Sequence, residues 1–241
     1  MTIKRDRVGD LWICLSVIED TVLPEMPNED AVTAPIGIDW GLKNTMNFSD
    51  GRDPVDSPFF LEQSLSELQA FQRRLSKRRR RNGGKRTRHA EADRKRVARI
   101  QRRIAYRRRG WCFKTAHGLC DEFDGIAVED VSGIWMQRTW GRKASDIAWS
   151  EFLSVLEYVC QNRGVLLKRV DAKNTSRECS DCGHVNQELA IKDRTWRCPS
   201  CGKLHDRDQN AGINILERAF SSQRGDVSSE GEIPIRVAVA V

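Results

Sequence analysis

Four cysteines fall as Cys179-Ser-Asp-Cys182 and Cys198-Pro-Ser-Cys201, two Cys-x-x-Cys pairs with 15 residues between them. That is the spacing of a four-thiolate metal site. Each pair makes a knuckle that sets two sulfurs about one tetrahedral edge apart. Two knuckles close the shell around Zn²⁺ and leave no position for substrate, so the expected metal is structural. Gly183 and Gly202 follow the second cysteine of each knuckle, where a backbone free to take positive φ lets amides approach sulfur. Zinc binding is worth about 10 kcal/mol of local folding free energy, so a module over residues 172–205 needs little core of its own. A redox dithiol pair, or unligated cysteines, is the competing reading. His184 and His205 are further candidate ligands, although four thiolates suffice.

The other four cysteines, Cys14, Cys112, Cys120 and Cys160, lie in apolar or helical contexts and read as buried small side chains. A disulfide framework belongs to short secreted chains, whereas this chain has 241 residues and no signal-like N-terminus. No apolar run reaches the length of a membrane span. A soluble, cytoplasmic protein with one substantial domain, one appendage and no membrane partner is expected.

Charge is unevenly distributed. Residues 73–109 hold 19 of the 41 Lys+Arg and only two acids, Glu91 and Asp93, a local charge of +17. The remaining 22 bases and 32 acids leave the rest of the chain at −10. A basic arm on an acidic body implies a polyanionic partner on one surface.

Hydrophobic periodicity predicts the following elements. Residues 8–18 alternate as a strand, with Leu11, Ile13, Leu15 and Val17 on one face, and residues 19–34 read as a linker. Ile36–Trp40, Thr45–Phe48 and Pro58–Leu61 suggest a three-strand meander. Leu65, Leu68, Phe71 and Leu75, then Val97, Ile100 and Ile104, predict two basic helices hinged at Asn82-Gly83-Gly84, with helix continuing through 113–121. Ile126-Ala127-Val128 is a strand ending on Glu129. Ile147, Phe152, Leu156, Val159 and Cys160 mark a helix stopped by Gly164, Val165–Val170 a strand, and Ala211–Phe220 a last helix. The tail 221–241 has no periodicity and is expected to be flexible. This order describes an α/β core.

Asp39 interrupts an apolar strand, Glu129 ends another, and Asp206 and Asp208 sit at the last helix start. Taken singly, Asp39 is a turn former, Glu129 and Asp130 are strand-end charges, and Asp208 is an N-cap. Taken together they supply the oxygen ligands that Mg²⁺ or Mn²⁺ uses. Two such ions would activate a water and stabilise the leaving oxygen of a phosphodiester.

Gly37-Ile38-Asp39-Trp40-Gly41, Val128-Glu129-Asp130-Val131 and Asp206-Arg207-Asp208-Gln209-Asn210-Ala211-Gly212-Ile213-Asn214 resemble the three RuvC motifs of TnpB proteins of bacterial and archaeal insertion sequences, relatives of the type V CRISPR effectors. Thr175-Ser176-Arg177-Glu178 and Thr195-Trp196-Arg197 are similar to that family too, and the likeness runs from about Ile36 to Phe220. Gly212 stands where many relatives have alanine.

The resemblance implies an RNase H-like (RuvC) mixed sheet flanked by helices over 35–171 and 206–220. A basic helical arm spans 63–110 and a four-cysteine zinc ribbon is inserted at 172–205. It implies Asp39, Glu129 and Asp208 as catalytic, magnesium-binding residues, with Asp206 as a flanking acid. Residues 1–34 would be the remnant of a wedge-type, OB-like barrel and a linker, in a chain shortened at its N-terminus.

The expected activity is metal-dependent DNA endonuclease chemistry, in an element linked to transposition and DNA recombination. Guide RNA would be a partner if a recognition half is supplied elsewhere. A DNA- or RNA-binding fragment that does not cut is the alternative. Candidate nucleic-acid contacts are Arg73, Arg74, Lys77, Arg78, Arg79, Arg80, Arg81, Lys85, Arg86, Arg88, Arg94, Lys95, Arg96, Arg99, Arg102 and Arg103. Trp111, Trp140 and Trp149 could stack on bases, but read as core or groove wall.

Overall fold

The computed structural model describes residues 1–17, 22–41, 44–130, 141, 146, 149–190 and 192–220. Its centre is a four-stranded mixed sheet of β3 (Pro35–Trp40), β4 (Met46–Phe48), β5 (Gly125–Glu129) and β6 (Leu166–Val170), in the order β4-β3-β5-β6. β4 is antiparallel to β3, while β5 and β6 run parallel. The parallel pairs are the ones joined through helices, as a crossover requires.

The strand period of two gives the sheet unlike faces. On one, Ile36, Ile38, Trp40, Met46, Phe48, Ile126 and Val128 pack under α2 (Arg88–Glu122) and α3 (Trp149–Arg163), around Phe152 and Leu156. Each such fully buried aliphatic or aromatic contributes about 2 kcal/mol. The alternate positions carry small or polar residues, Gly37, Asp39, Asn47, Ala127 and Glu129, and α4 (Arg207–Phe220) lies over them through Ile215, Ala219 and Phe220. Small residues allow a close approach: a Cβ on Gly37 would stand 2.1 Å from the Gly212 carbonyl oxygen.

α1 (Phe60–Arg81) and α2 form a helical hairpin turned at Gly83 and Gly84, both at positive φ. α2 is 35 residues long, about 50 Å at the α-helical rise. Its N-terminal half packs Ile100 and Ile104 against Phe60 and Leu68 of α1, and its C-terminal half packs Cys112, Ala116 and Leu119 on the sheet. Buried Asp93 ties the hairpin through Arg78 (2.8 Å) and Arg74 (3.5 Å). A second hairpin, β1 (Thr2–Arg5) and β2 (Leu11–Cys14), is held to α2 by Arg102, which reaches Asp6 and Asp10 at 2.6 Å each. The cysteine module adds β7 (Thr195–Arg197) and β8 (Leu204–Asp206), an antiparallel pair, and β8 runs into α4 with no intervening residue. No described helix is long and apolar enough to cross a membrane.

Several expectations are corrected. Pro58–Leu61 is not a strand: Phe59 takes a left-handed conformation and Phe60 starts α1, whose first amides at Leu61 and Glu62 donate to the Asp146 carboxylate at 2.9 Å. Beside β4 a one-residue bridge, Met46 to Val55, stands upstream of the expected third strand. Strand 8–18 is shortened to Leu11–Cys14, because Asp6 accepts the Val8, Gly9 and Asp10 amides and bends the chain into the β1–β2 turn; residue 18 lies outside the described residues. Cys14 is exposed, not buried: every residue of β1 and β2 is exposed among the described residues. Cys112 and Cys160 are buried as expected, and Cys120 is half-buried with its sulfur 3.6 Å from that of Cys160. Trp149 is core and Trp111 packs against it. Trp140, Ile147 and the tail 221–241 lie outside the described residues.

Candidate active site and metal site

β3 and β5 are neighbours, so Asp39 and Glu129 come to one face at the same end of the sheet, beside the first turn of α4. Both are buried, each with 8% of its surface exposed. Burial, and after it the negative charges of Glu129 and Asp208, hold the Asp39 carboxyl well above the ordinary carboxylate range. The charge of Arg207 and the Asn47 amide, opposite Asp39 in the sheet, act the other way. Burial also raises Glu129, against the hydrogen bond from the Thr175 hydroxyl and the charge of Arg218.

Asp208 is the most open of the three and pairs with Arg194 at 2.6 Å. Its neighbour Asp206 ends β8 and accepts the Asp208 and Gln209 amides at 3.0 Å. The helix cap is therefore Asp206, and Asp208 is released from that duty. The three carboxylates do not form a group with all ligand atoms within 4.8 Å of one another. They do share one poorly solvated, like-charged region, the condition that favours a bound cation.

The four cysteines do form such a group, with Cys179 and Cys201 sulfurs 3.7 Å apart and Cys182 and Cys198 sulfurs 3.6 Å apart. A tetrahedral thiolate shell with bonds of about 2.3 Å needs an edge of about 3.8 Å, so the site can hold a metal ion. Gly183 and Gly202 have φ of 73° and 77°. Burial pushes the Cys198 thiol up, but the Cys201 and Ser200 amides outweigh it and bring it to about 6. That is the amide-to-sulfur geometry expected of a knuckle. His205 is not in the four-sulfur set, yet its Nε2 lies 3.1 Å from the Cys179 sulfur and its ring meets Trp196 at 4.9 Å.

Of the candidate basic contacts, several are internally paired: Arg74 and Arg78 with Asp93, Arg94 with Glu91, Arg96 and Arg103 with Glu67, Arg102 with Asp6 and Asp10. Arg73, Lys77, Arg79, Arg80, Arg81, Lys85, Arg86, Arg88, Lys95 and Arg99 make no ion pair among the described residues. They remain a cationic surface on α1, α2 and their turn.

Sequence reasoning did not single out the supports of the site. Asn214 donates from Nδ2 to the Thr175 and Glu178 carbonyls at 2.8 Å each. Asn210 donates to the Glu178 carbonyl at 2.7 Å and accepts the Ser180 amide at 3.0 Å. Both fall in the third motif at a helical spacing of four, which is the signal that could have marked one shared face.

A family model described as "Probable transposase", of IS605 OrfB type, matches residues 13–136, just over half the chain. The chain belongs to the TnpB/IS605 transposase family. A second model, "Cas12f1-like, TNB domain", matches residues 149–215 of this family member, spanning the cysteine module and most of α4. Among curated TnpB-like relatives, a Streptomyces pristinaespiralis protein named "Putative RNA-guided DNA endonuclease" is 33% identical over 92% of this chain and 53% of its own length. Escherichia coli InsQ, with the same description, is 24% identical over 86% of this chain and 54% of its own. The chain thus spans about half the length of the curated relatives it matches. A solved CRISPR-Cas12f ternary complex shares the fold, with TM-score 0.53, 21% identity, and coverage of 83% of this chain and 41% of that one.

Proposed function

We propose that this TnpB-family chain is the nuclease half of an RNA-guided DNA endonuclease, hydrolysing DNA phosphodiesters with Asp39, Glu129 and Asp208. The observation that carries the reading is the Asp39 carboxyl, buried beside two further acids and held well above its usual range. Like charges are gathered in a poorly solvated place at a cost that a bound cation offsets. Oxygen donors of this kind suit Mg²⁺ or Mn²⁺. Two such ions would activate the attacking water and stabilise the leaving oxygen.

The chain's own groups prepare the site. Asp39 and Glu129 are fixed by adjacent strands, Thr175 orients Glu129 by donating its hydroxyl proton, and Arg194 holds Asp208. In this reading residues 35–171 with 206–220 form an RNase H-like (RuvC) nuclease core, 172–205 a zinc ribbon, and 1–34 wedge-type barrel strands and a linker. Zinc is the metal that four thiolates at these separations fit best. The unpaired cations of α1 and α2 would lie along a nucleic-acid backbone, DNA target or guide RNA.

The test is cleavage of labelled single-stranded DNA with Mg²⁺ by the chain and by Asp208→Ala. Cutting by the unmodified chain alone is expected. No cutting by either, with salt-sensitive binding retained, would replace this reading by that of a non-cleaving binding fragment.

A further inference from the structure

A polar cavity of about 250 Å³ opens beside the carboxylates, lined by Ala172, Asn174, Thr175, Ser176, Arg177 and Arg207. Thr175 is the residue whose hydroxyl donates to Glu129, and Arg207 is the cation whose charge falls on Asp39. Two lining residues of the cavity therefore act on two of the three acids.

Nearby arginines are committed elsewhere: Arg194 to Asp208 at 2.6 Å, and Arg218 to Glu178 at 2.5 Å. Arg177 differs. Its side chain is exposed and has no hydrogen-bond or ion-pair partner among the described residues. The loop that carries it is nonetheless fixed. Asn174 sits at φ 63°, its carbonyl accepts the Arg177 and Glu178 amides at 2.9 Å, and Asn214 and Arg218 hold the carbonyls on either side.

An unpaired guanidinium on a preset loop, beside a cluster of acids, calls for an anion that also approaches those acids. A phosphodiester chain crossing a cation-loaded carboxylate site meets both conditions. The fork of a guanidinium matches two phosphate oxygens. At about 250 Å³ the cavity is small for a drug-sized ligand and of the size of one sugar-phosphate unit.

We propose that this cavity seats the phosphate of a single-stranded nucleotide adjacent to the bond cut, with Arg177 as its positioning residue. The inference rests on the nuclease reading for its second half only, since the anion seat itself follows from the cavity and the free guanidinium. Arg207 and Thr175 line the seat with it.

Two readouts test it: binding of a fluorescein-labelled oligodeoxythymidine as a function of KCl without added Mg²⁺, and steady-state cleavage with Mg²⁺. Arg177→Ala should lower the salt slope of log affinity by about 0.7, the share of one single-strand phosphate. It should also reduce kcat/KM by about ten- to a hundredfold, as loss of a charged hydrogen-bond pair does. Arg177→Lys should restore the slope but not the full kcat/KM, because the charge returns without the fork. A native slope together with native kcat/KM in Arg177→Ala overturns the proposal and leaves the nuclease reading standing. If the unmodified chain does not cut, that reading falls alone, and the slope still decides the anion seat.

Discussion

Gly37 of β3 and Gly212 of α4 meet backbone to backbone: a Cβ on Gly37 would lie 2.1 Å from the Gly212 oxygen and 2.8 Å from the Leu216 amide nitrogen. Neither atom can swing aside as a side-chain tip would. Gly37→Ala must lift α4 from the sheet, and overpacking of this kind costs about 2–3 kcal/mol. The unfolding midpoint should fall by roughly 6–10 °C. Gly118→Ala, where an added Cβ meets nothing within 4 Å on an exposed turn of α2, should instead gain about 0.5–1 kcal/mol. Equal shifts of the same sign in a thermal melt would refute the close contact.

Asn214, 4% exposed, supplies both its amide protons to carbonyls of the loop 175–178. Asn214→Leu keeps the volume and strands the Thr175 carbonyl, at about 1–3 kcal/mol, while the Glu178 carbonyl keeps Asn210. Urea unfolding should show a loss of about 1–3 kcal/mol, and limited proteolysis should cut first within residues 172–180. A stable variant with an unchanged digestion pattern would show that the loop holds itself.

Asp124 anchors the entry to β3 by accepting the Thr33 amide at 2.8 Å, the Thr33 hydroxyl at 2.7 Å and the Ala34 amide at 2.8 Å. Burial pushes its carboxyl up, but these donors outweigh it and hold it below 3.8. Its folded-state pKa is depressed, so its contribution is complete above the unfolded value and is lost as pH falls through the folded one. The stability difference between the native chain and Asp124→Asn should be flat above about pH 5 and shrink below 3.8. A difference that grows on acidification would reverse the assignment.

Elemental analysis separates the sulfur ligands from their neighbour. Cys179→Ser and Cys201→Ser should each lose the metal equivalent, whereas His205→Phe should keep it with affinity about 10–100-fold weaker, as expected for a partner of a ligand. One metal per chain retained in both serine variants would dismiss the four-thiolate shell.

The parts of the fold written in local pattern were legible in the sequence. Ile36–Trp40 and Ile126–Glu129 are strands because alternate residues are large and apolar and bury one face under the helices, and the knuckles follow from cysteine spacing and positive-φ glycines. What failed was non-local. Pro58–Leu61 looks extended, yet α1 starts there because Asp146, 84 and 85 positions away, accepts its first amides. Thr175 and Asn47 gain meaning only when the sheet sets them beside Glu129 and Asp39. The division of labour between Asp206 and Asp208 likewise needs the β8–α4 junction, since either could cap a helix.

That junction has a consequence for regulation. Because Asp206 closes β8 and Arg207 opens α4, Asp208 stands three residues from His205, the neighbour of a sulfur in the four-cysteine group, with no slack between them. In the proposed nuclease, thiol-directed oxidants would then act as remote inhibitors, letting go of the rod that carries Asp208 without touching the carboxylates.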